Sequence, residues 1–186
     1  MSVRIIAGQW RSRKLEVPEA LGLRPTPNRV RETLFNWLMD DMVGARCLDA
    51  FAGSGALGFE ALSRGAAHVT FIDSNPQVIK HLKTMGDLFK TTQANYLLGS
   101  FPNKVALSEP FDIVFLDPPF HQSLVEPSLE FLAQHNLLKP GALIYVEQEN
   151  IIPSPAYGGG LGWGDLNITQ LKSKTTGQVS YSLWKA

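Results

Sequence analysis

The chain reads as a doubly wound α/β fold: a mostly parallel sheet with helices on both faces, closed by an antiparallel C-terminal hairpin. Three observations predict it. An apolar run ends in the glycine turn Asp49-Ala50-Phe51-Ala52-Gly53-Ser54-Gly55-Ala56-Leu57-Gly58, and a helical pattern follows at once. Strand-like and helix-like segments then alternate as far as a strongly apolar run at 111–116, the mark of a strand buried on both faces. Two final strand-like segments flank Thr176-Gly177.

The elements are expected in this order. Residues 3–7 and 13–17 form an N-terminal hairpin around Gly8-Gln9-Trp10-Arg11, with Trp10 displayed between arginines. After a proline-rich stretch at 18–27, Thr26 caps a helix that has Pro27 in its first turn and Val30, Leu34, Trp37 and Leu38 on one face. Strand 46–50 leads through the glycine turn into a helix ending at Gly65. Strand 68–72 runs into Asp73, and Ser74-Asn75-Pro76 opens the next helix. Strands follow at 94–98 and 111–116, a helix at about 123–135, a turn at Lys139-Pro140-Gly141 and a strand at 142–147. Residues 151–164, rich in proline and glycine, are expected to be a mobile loop, with closing strands at about 166–172 and 178–184. The whole of 1–186 is expected to be one domain, with 1–25 a basic extension and 26–186 the catalytic core.

Composition narrows the function classes. Hydrophobic residues make up 44% and charged residues 18%, as in ordinary globular proteins. One cysteine, Cys47, excludes an internal disulfide framework and a cysteine-based zinc cluster, and four scattered histidines show no metal-ligand spacing. No signal peptide or membrane-spanning run is visible, so a cytoplasmic protein is expected. The net charge of zero is uneven. Residues 1–31 carry seven basic residues (Arg4, Arg11, Arg13, Lys14, Arg24, Arg29, Arg31) against two acidic ones; the remainder carries 10 against 15. All but one of the seven are arginine, the side chain suited to bidentate phosphate contact, so a polyanionic partner such as RNA is expected at that end.

Ligands of such sheets bind at the carboxyl ends of the strands, where Asp49, Asp73 and Asp117 all fall. Asp73 is spaced from the glycine turn as a ribose-binding carboxylate would be. A nicotinamide cofactor would set its pyrophosphate on the turn, where Asp49 and Asp117 would oppose it. S-adenosyl-L-methionine carries a cationic amino group and a sulfonium instead, which those carboxylates suit. Asp117-Pro118-Pro119-Phe120 then points to methylation of a nucleobase amine. A carboxylate and a backbone carbonyl, each accepting an N–H, turn the amine's lone pair outward; the prolines remove competing donors; Phe120 offers a stacking face. No metal is required for this displacement at carbon.

Asp-x-Phe-x-Gly-x-Gly with Asp-Pro-Pro-Phe resembles the class I amino-methyltransferases. Residues 4–11 (Arg-Ile-Ile-Ala-Gly-Gln-Trp-Arg), Arg24-Pro25-Thr26, 29–38, 142–147 and 177–181 narrow the resemblance to the RsmD family of bacterial 16S rRNA guanine-N2 methyltransferases. That resemblance implies a methyl transfer from S-adenosyl-L-methionine to one guanine during small-subunit assembly, on 16S rRNA or the assembling subunit, by a monomer. Asp49, Phe51, Ala52, Gly53, Ser54 and Gly55 would line the methionine half of the cofactor. Asp73 and Ser74 would hold its ribose, and Gly99-Ser100 would meet its adenine where the family usually has Asn or Asp followed by Ala. Thr26 would lie at the cofactor, and Asp117 to Phe120 would hold the base, with Arg24 and Pro25 near. Arg4, Trp10, Arg11, Arg13, Lys14, Arg24, Arg29 and Arg31 would face the RNA. Open alternatives are an adenine-N6 methyltransferase, an NAD-dependent oxidoreductase and a non-catalytic RNA-binding assembly factor.

Overall fold

The structure is a computed structural model and describes residues 2–17, 26–120, 122–149, 168–177 and 179–186. The expected loop at 151–164, together with Arg24 and Pro25, lies outside the described residues.

β1 (Ser2–Arg4) and β2 (Lys14–Glu16) form a separate two-stranded antiparallel sheet. α1 (Asn28–Trp37) leads to β3 (Arg46–Asp49), α2 (Ala56–Ser63), β4 (His68–Asp73), α3 (Pro76–Phe89) and β5 (Ala94–Leu98). β6 (Phe111–Leu116), α4 (Val125–Gln134), β7 (Leu138–Glu149), β8 (Thr169–Thr176) and β9 (Val179–Lys185) complete the order. The main sheet runs β5-β4-β3-β6-β7-β9-β8. The first five strands are parallel, and β9 and β8 add antiparallel. Strand order reverses between β3 and β6, which puts the switch point at the ends of the two strands carrying Asp49 and Asp117.

Alternation along the central strands fills two cores. Cys47, Phe71, Ile113, Phe115 and Tyr145 point to the face covered by α1, α2 and α3. Leu48, Ile72, Val114, Leu116 and Ile144 point to the face covered by α4. Each such fully buried side chain contributes about 1.5–3 kcal/mol by leaving water. At β8 every residue is exposed.

The hairpin is shorter than the 3–7 and 13–17 strands expected, because its backbone donors go elsewhere. Ile6 and Ala7 donate their N–H groups to the Glu60 carboxylate of α2 at 2.8 and 3.0 Å, and Trp10 N donates to Ser63 Oγ at 2.9 Å. The same docking overturns two expectations. Trp10 is not displayed: it is 7% exposed and stacks on Phe89, ring centroids 4.7 Å apart. Arg31 is wholly buried; its Nη1 reaches Glu60 Oε2 at 3.4 Å, and its Nη2 donates to the Arg4 carbonyl at 2.9 Å and to Asn28 Oδ1 at 2.7 Å.

Two boundaries also differ. Thr26 does not cap α1, which starts at Asn28 after Pro27 with no side-chain cap. Lys139-Pro140-Gly141 lies within β7, where Gly141 takes a φ of 79° and the register against β6 shifts. The turn signal marks an irregularity in the strand. By contrast Asn75 caps α3 as expected, accepting from Gln77 N at 2.9 Å with Pro76 in the first turn.

Removing Glu60 should be costly, since Arg31 would keep a buried charge without its partner. Glu60→Ala should lose about 3–5 kcal/mol in urea unfolding. A Glu60→Ala/Arg31→Met double variant should lose less than the two single losses combined.

Candidate active site

The glycine turn leaves β3 at Asp49 and re-enters helix at Ala56. Gly55, the residue before α2, adopts a φ of 74°, a conformation that L side chains rarely take. At Gly58 the reason for glycine is packing: a Cβ there would run into the Phe71 ring. Asp49 turns back across this start of the helix and accepts the Gly58 N–H at 3.0 Å, so its carboxylate meets a positive helix end. From β4, Asp73 accepts from Gly53 N at 3.0 Å and Asn75 N at 2.8 Å. That ties the turn to the next strand.

Asp49, Gly53, Asp73 and Asn75 line one cavity of about 500 Å³. Its walls include Asp49, Phe51, Ala52, Gly53 and Ser54 from the turn, and Asp73 and Ser74 from the end of β4. Gly99, Ser100 and Phe101 follow β5; Asp117, Pro118, Pro119 and Phe120 follow β6. Thr26 closes it from the segment before α1, and Thr26 Oγ1 donates to Asp117 Oδ2 at 3.1 Å. Gly55 lies behind the turn, buried beneath Phe59 and Leu82. Phe120 is 39% exposed at the rim. Asn75, Val78, Gln122, Leu124, Glu147 and Val179 also line the cavity, and sequence reasoning had not placed them there. Glu147 carried a legible signal: it is an acidic residue near the end of a parallel strand, as the three aspartates are.

The cavity crowds carboxyl groups into a poorly solvated space. Burial pushes Asp49 up to about 7; the Gly58 N–H pulls the other way, and the charge of Asp73 adds to the rise. Asp117 rises well above the usual carboxylate range, first through burial and then through the charge of Glu147, with Thr26 opposing. Glu147 also rises through burial, and the O–H of Tyr145, which donates to Glu147 Oε2 at 2.7 Å, opposes that rise. A cationic ligand entering this cavity would find partners ready to ionise. The residues therefore fit S-adenosylmethionine: a buried acid suits its amino group, Asp73 suits a ribose diol, and among the described residues no basic side chain lines the cavity to receive a pyrophosphate. Among the described residues no cluster of three potential metal ligands occurs. No helix there is long and apolar enough to cross a membrane.

Among the described residues, the basic side chains expected at the RNA differ in exposure and in partners. Arg11, Lys14 and Arg29 are exposed. Arg4 is exposed but donates through Nη1 to the Ser12 carbonyl at 2.9 Å. Arg13 donates through Nη2 to the Leu88 carbonyl at 2.9 Å and lies 4.7 Å over the Phe89 ring. Arg31 and Trp10, being buried, leave the set.

A seven-stranded sheet of this order, with a glycine turn and a strand-end carboxylate cavity at its switch point, is a class I methyltransferase fold. The family model described as "Conserved hypothetical protein 95" matches residues 3–185. The chain belongs to this family, the RsmD family that its motifs resemble. "Ribosomal RNA small subunit methyltransferase D" of Haemophilus influenzae is 48% identical over 190 residues, covering 98% of this chain and 93% of that protein. The protein of the same name from Escherichia coli K12 is 46% identical over 191 residues, covering 98% and 89%. The solved structure named "Putative methyltransferase yhhF from Escherichia coli" superposes with a TM-score of 0.86 at 41% identity, covering 100% of this chain and 98% of that one.

The raised pKa of Asp49 predicts a pH effect on the empty protein. Its native pKa lies above its unfolded value, so its contribution to stability is full below the usual carboxylate range and is lost as pH rises through about 7. Asp49→Asn keeps the shape without the charge. In urea titrations from about pH 5 to about pH 8 it should lose less stability than the wild type.

Proposed function

We propose that this protein transfers a methyl group from S-adenosyl-L-methionine to the exocyclic N2 of a guanine in small-subunit rRNA. The observation that carries the reading is the junction of two half-sites in one cavity. The glycine turn with Asp49 and Asp73 forms one half; Asp117 with its Pro-Pro-Phe turn forms the other. The names of the relatives support rRNA as the substrate class.

When bound, the cofactor supplies a methyl carbon made electrophilic by its sulfonium. The chain does the rest by placement. Asp49 and the turn residues hold the cationic methionine end, Asp73 and Ser74 the ribose, and Gly99-Ser100 the adenine side. Asp117 and the backbone carbonyls of the proline turn accept the two N–H groups of the amine, which aims its lone pair along the line of transfer. The proton that the amine must shed would pass to Asp117, whose raised pKa suits it to receive one. Thr26 fixes the rotamer of Asp117 meanwhile. Phe120 stacks on the base at the rim, and the exposed Arg11, Lys14 and Arg29 meet phosphates outside it. The enzyme acts in the cytoplasm as a single-domain monomer, on free 16S rRNA or on the assembling subunit.

Labelled methyl transfer to unmodified small-subunit RNA and to intact subunits tests the reading, with the product identified as a nucleoside. N2-methylguanosine is expected. N6-methyladenosine would mean the adenine alternative, and absence of transfer to either substrate would leave only a binding role. Asp117→Ala should lower kcat by at least about 100-fold while cofactor affinity changes little, because the contact matters mainly in the transition state.

The exposed basic side chains give a separate expectation. An Arg11→Ala/Lys14→Ala variant should bind RNA more weakly and show a shallower dependence of affinity on salt, by a little under about one unit of slope per lost phosphate contact. Calorimetry should find its cofactor affinity unchanged. An unchanged salt slope would remove these two residues from the RNA surface.

A further inference from the structure

The base half of the cavity holds a second carboxylate that the transfer itself does not use. Leu116 of β6 pairs with Val146 of β7, so Asp117 and Glu147 follow one residue later on neighbouring parallel strands, about 4.8 Å apart at the backbone. Strand alternation puts both on the face of Phe115 and Tyr145, the face that α1 covers. Glu147 is 5% exposed yet lines the cavity. Its Oε2 is held by the Tyr145 hydroxyl at 2.7 Å, while Oε1 takes no hydrogen bond from the described residues. An acceptor left open on a residue that lines a cavity is available to a donor from whatever enters it. Resting on the guanine reading above, we propose that Glu147 is a specificity-determining residue: Oε1 accepts the imino N1–H of the target guanine while Asp117 accepts from its N2 amine.

The chemistry of the base edges gives the pairing its selectivity. On its Watson–Crick edge guanine presents two adjacent donors, the N2 amine and N1–H. Adenine and cytosine place an acceptor, N1 or N3, beside their amines. Two adjacent carboxylates complement the first arrangement and repel the second. Tyr145 is a positioning residue. Burial and the neighbouring Glu147 push its phenol pKa upward, so it remains an O–H donor that occupies Oε2 and leaves Oε1 as the open acceptor.

A cycle in which enzyme and base are both altered tests this. The methylated nucleoside is first mapped with the wild-type enzyme; a product other than N2-methylguanosine would defeat the guanine reading before Glu147 is tested. The target guanine is then replaced, by ligation of a synthetic segment into small-subunit RNA, with 2-aminopurine. That base keeps the N2 amine but has an acceptor at N1. Wild type should prefer guanine by at least about 100-fold in kcat/KM. Glu147→Gln, whose amide can serve either as donor or as acceptor, should shrink that preference by about tenfold or more. Tyr145→Phe should shrink it by a smaller factor, and it supplies the comparison if Glu147→Gln does not fold. Equal rates on the two bases with wild-type enzyme would overturn the proposal. So would a preference that both variants leave unchanged.

Discussion

A single buried carboxylate holds the parts of this molecule in register. Glu60 of α2 accepts the backbone N–H groups of Ile6 and Ala7 and pairs with Arg31 of α1 and with Arg64 at the end of its own helix. Three segments far apart in sequence thereby meet at one point. Desolvating an acid and a guanidinium is expensive, and the geometry recovers that cost only when all the donors are present. Burial lowers the pKa of Arg31, and the charge of Glu60 opposes that fall. Because α2 starts at the glycine turn and α1 follows directly on Thr26, the same anchor relates the two halves of the cavity. One wall hangs from the start of α2. Thr26 reaches Asp117 from the chain just ahead of α1.

Legibility in the sequence followed the range of the interactions. The glycine turn, the strand ends carrying Asp49, Asp73 and Asp117, and the cap at Asn75 depend on neighbours a few residues away, and they stand where patterning put them. Trp10, Arg31 and Thr26 were misread because partners about 30 to 90 positions distant decide their roles: Phe89, Glu60 and Asp117. An arginine in a basic stretch looks like surface until a buried acid is placed beside it. Glu147 was overlooked for a different reason. Its strand is exchanged at the sheet between parallel and antiparallel neighbours, so its end is less plainly a binding edge than those of β3, β4 and β6.

The cavity divides its acids by task. Asp49 is turned towards a helix start and Asp73 towards two backbone donors, so both are oriented before any ligand arrives. Asp117 and Glu147 are each held by one hydroxyl, from Thr26 and Tyr145, and keep acceptor capacity in reserve. Preorganisation of this kind lowers the cost of ordering side chains on binding. It also explains why the base half tolerates two carboxyl groups side by side: a hydroxyl fixes each one, and their raised pKa values limit the repulsion while the site waits.

The exposed edge strand has a consequence for how the molecule coexists with copies of itself. β8 hydrogen-bonds to β9 on one side, and it stands last in the order of the sheet. Among the described residues no strand pairs with its other side, and such a row of backbone donors and acceptors is a template on which another chain can build; eight residues make a long template. Its composition, Thr-Gln-Leu-Lys-Ser-Lys-Thr-Thr, works against that outcome. Lys172 and Lys174 would bring like charges together in any edge-to-edge pairing, and Leu171 is the strand's sole large apolar side chain. The register shift between Gln170 and Lys172 further bends the edge away from a flat strand. Resistance to aggregation is thus written into the last strand of the sheet, apart from anything the cavity requires.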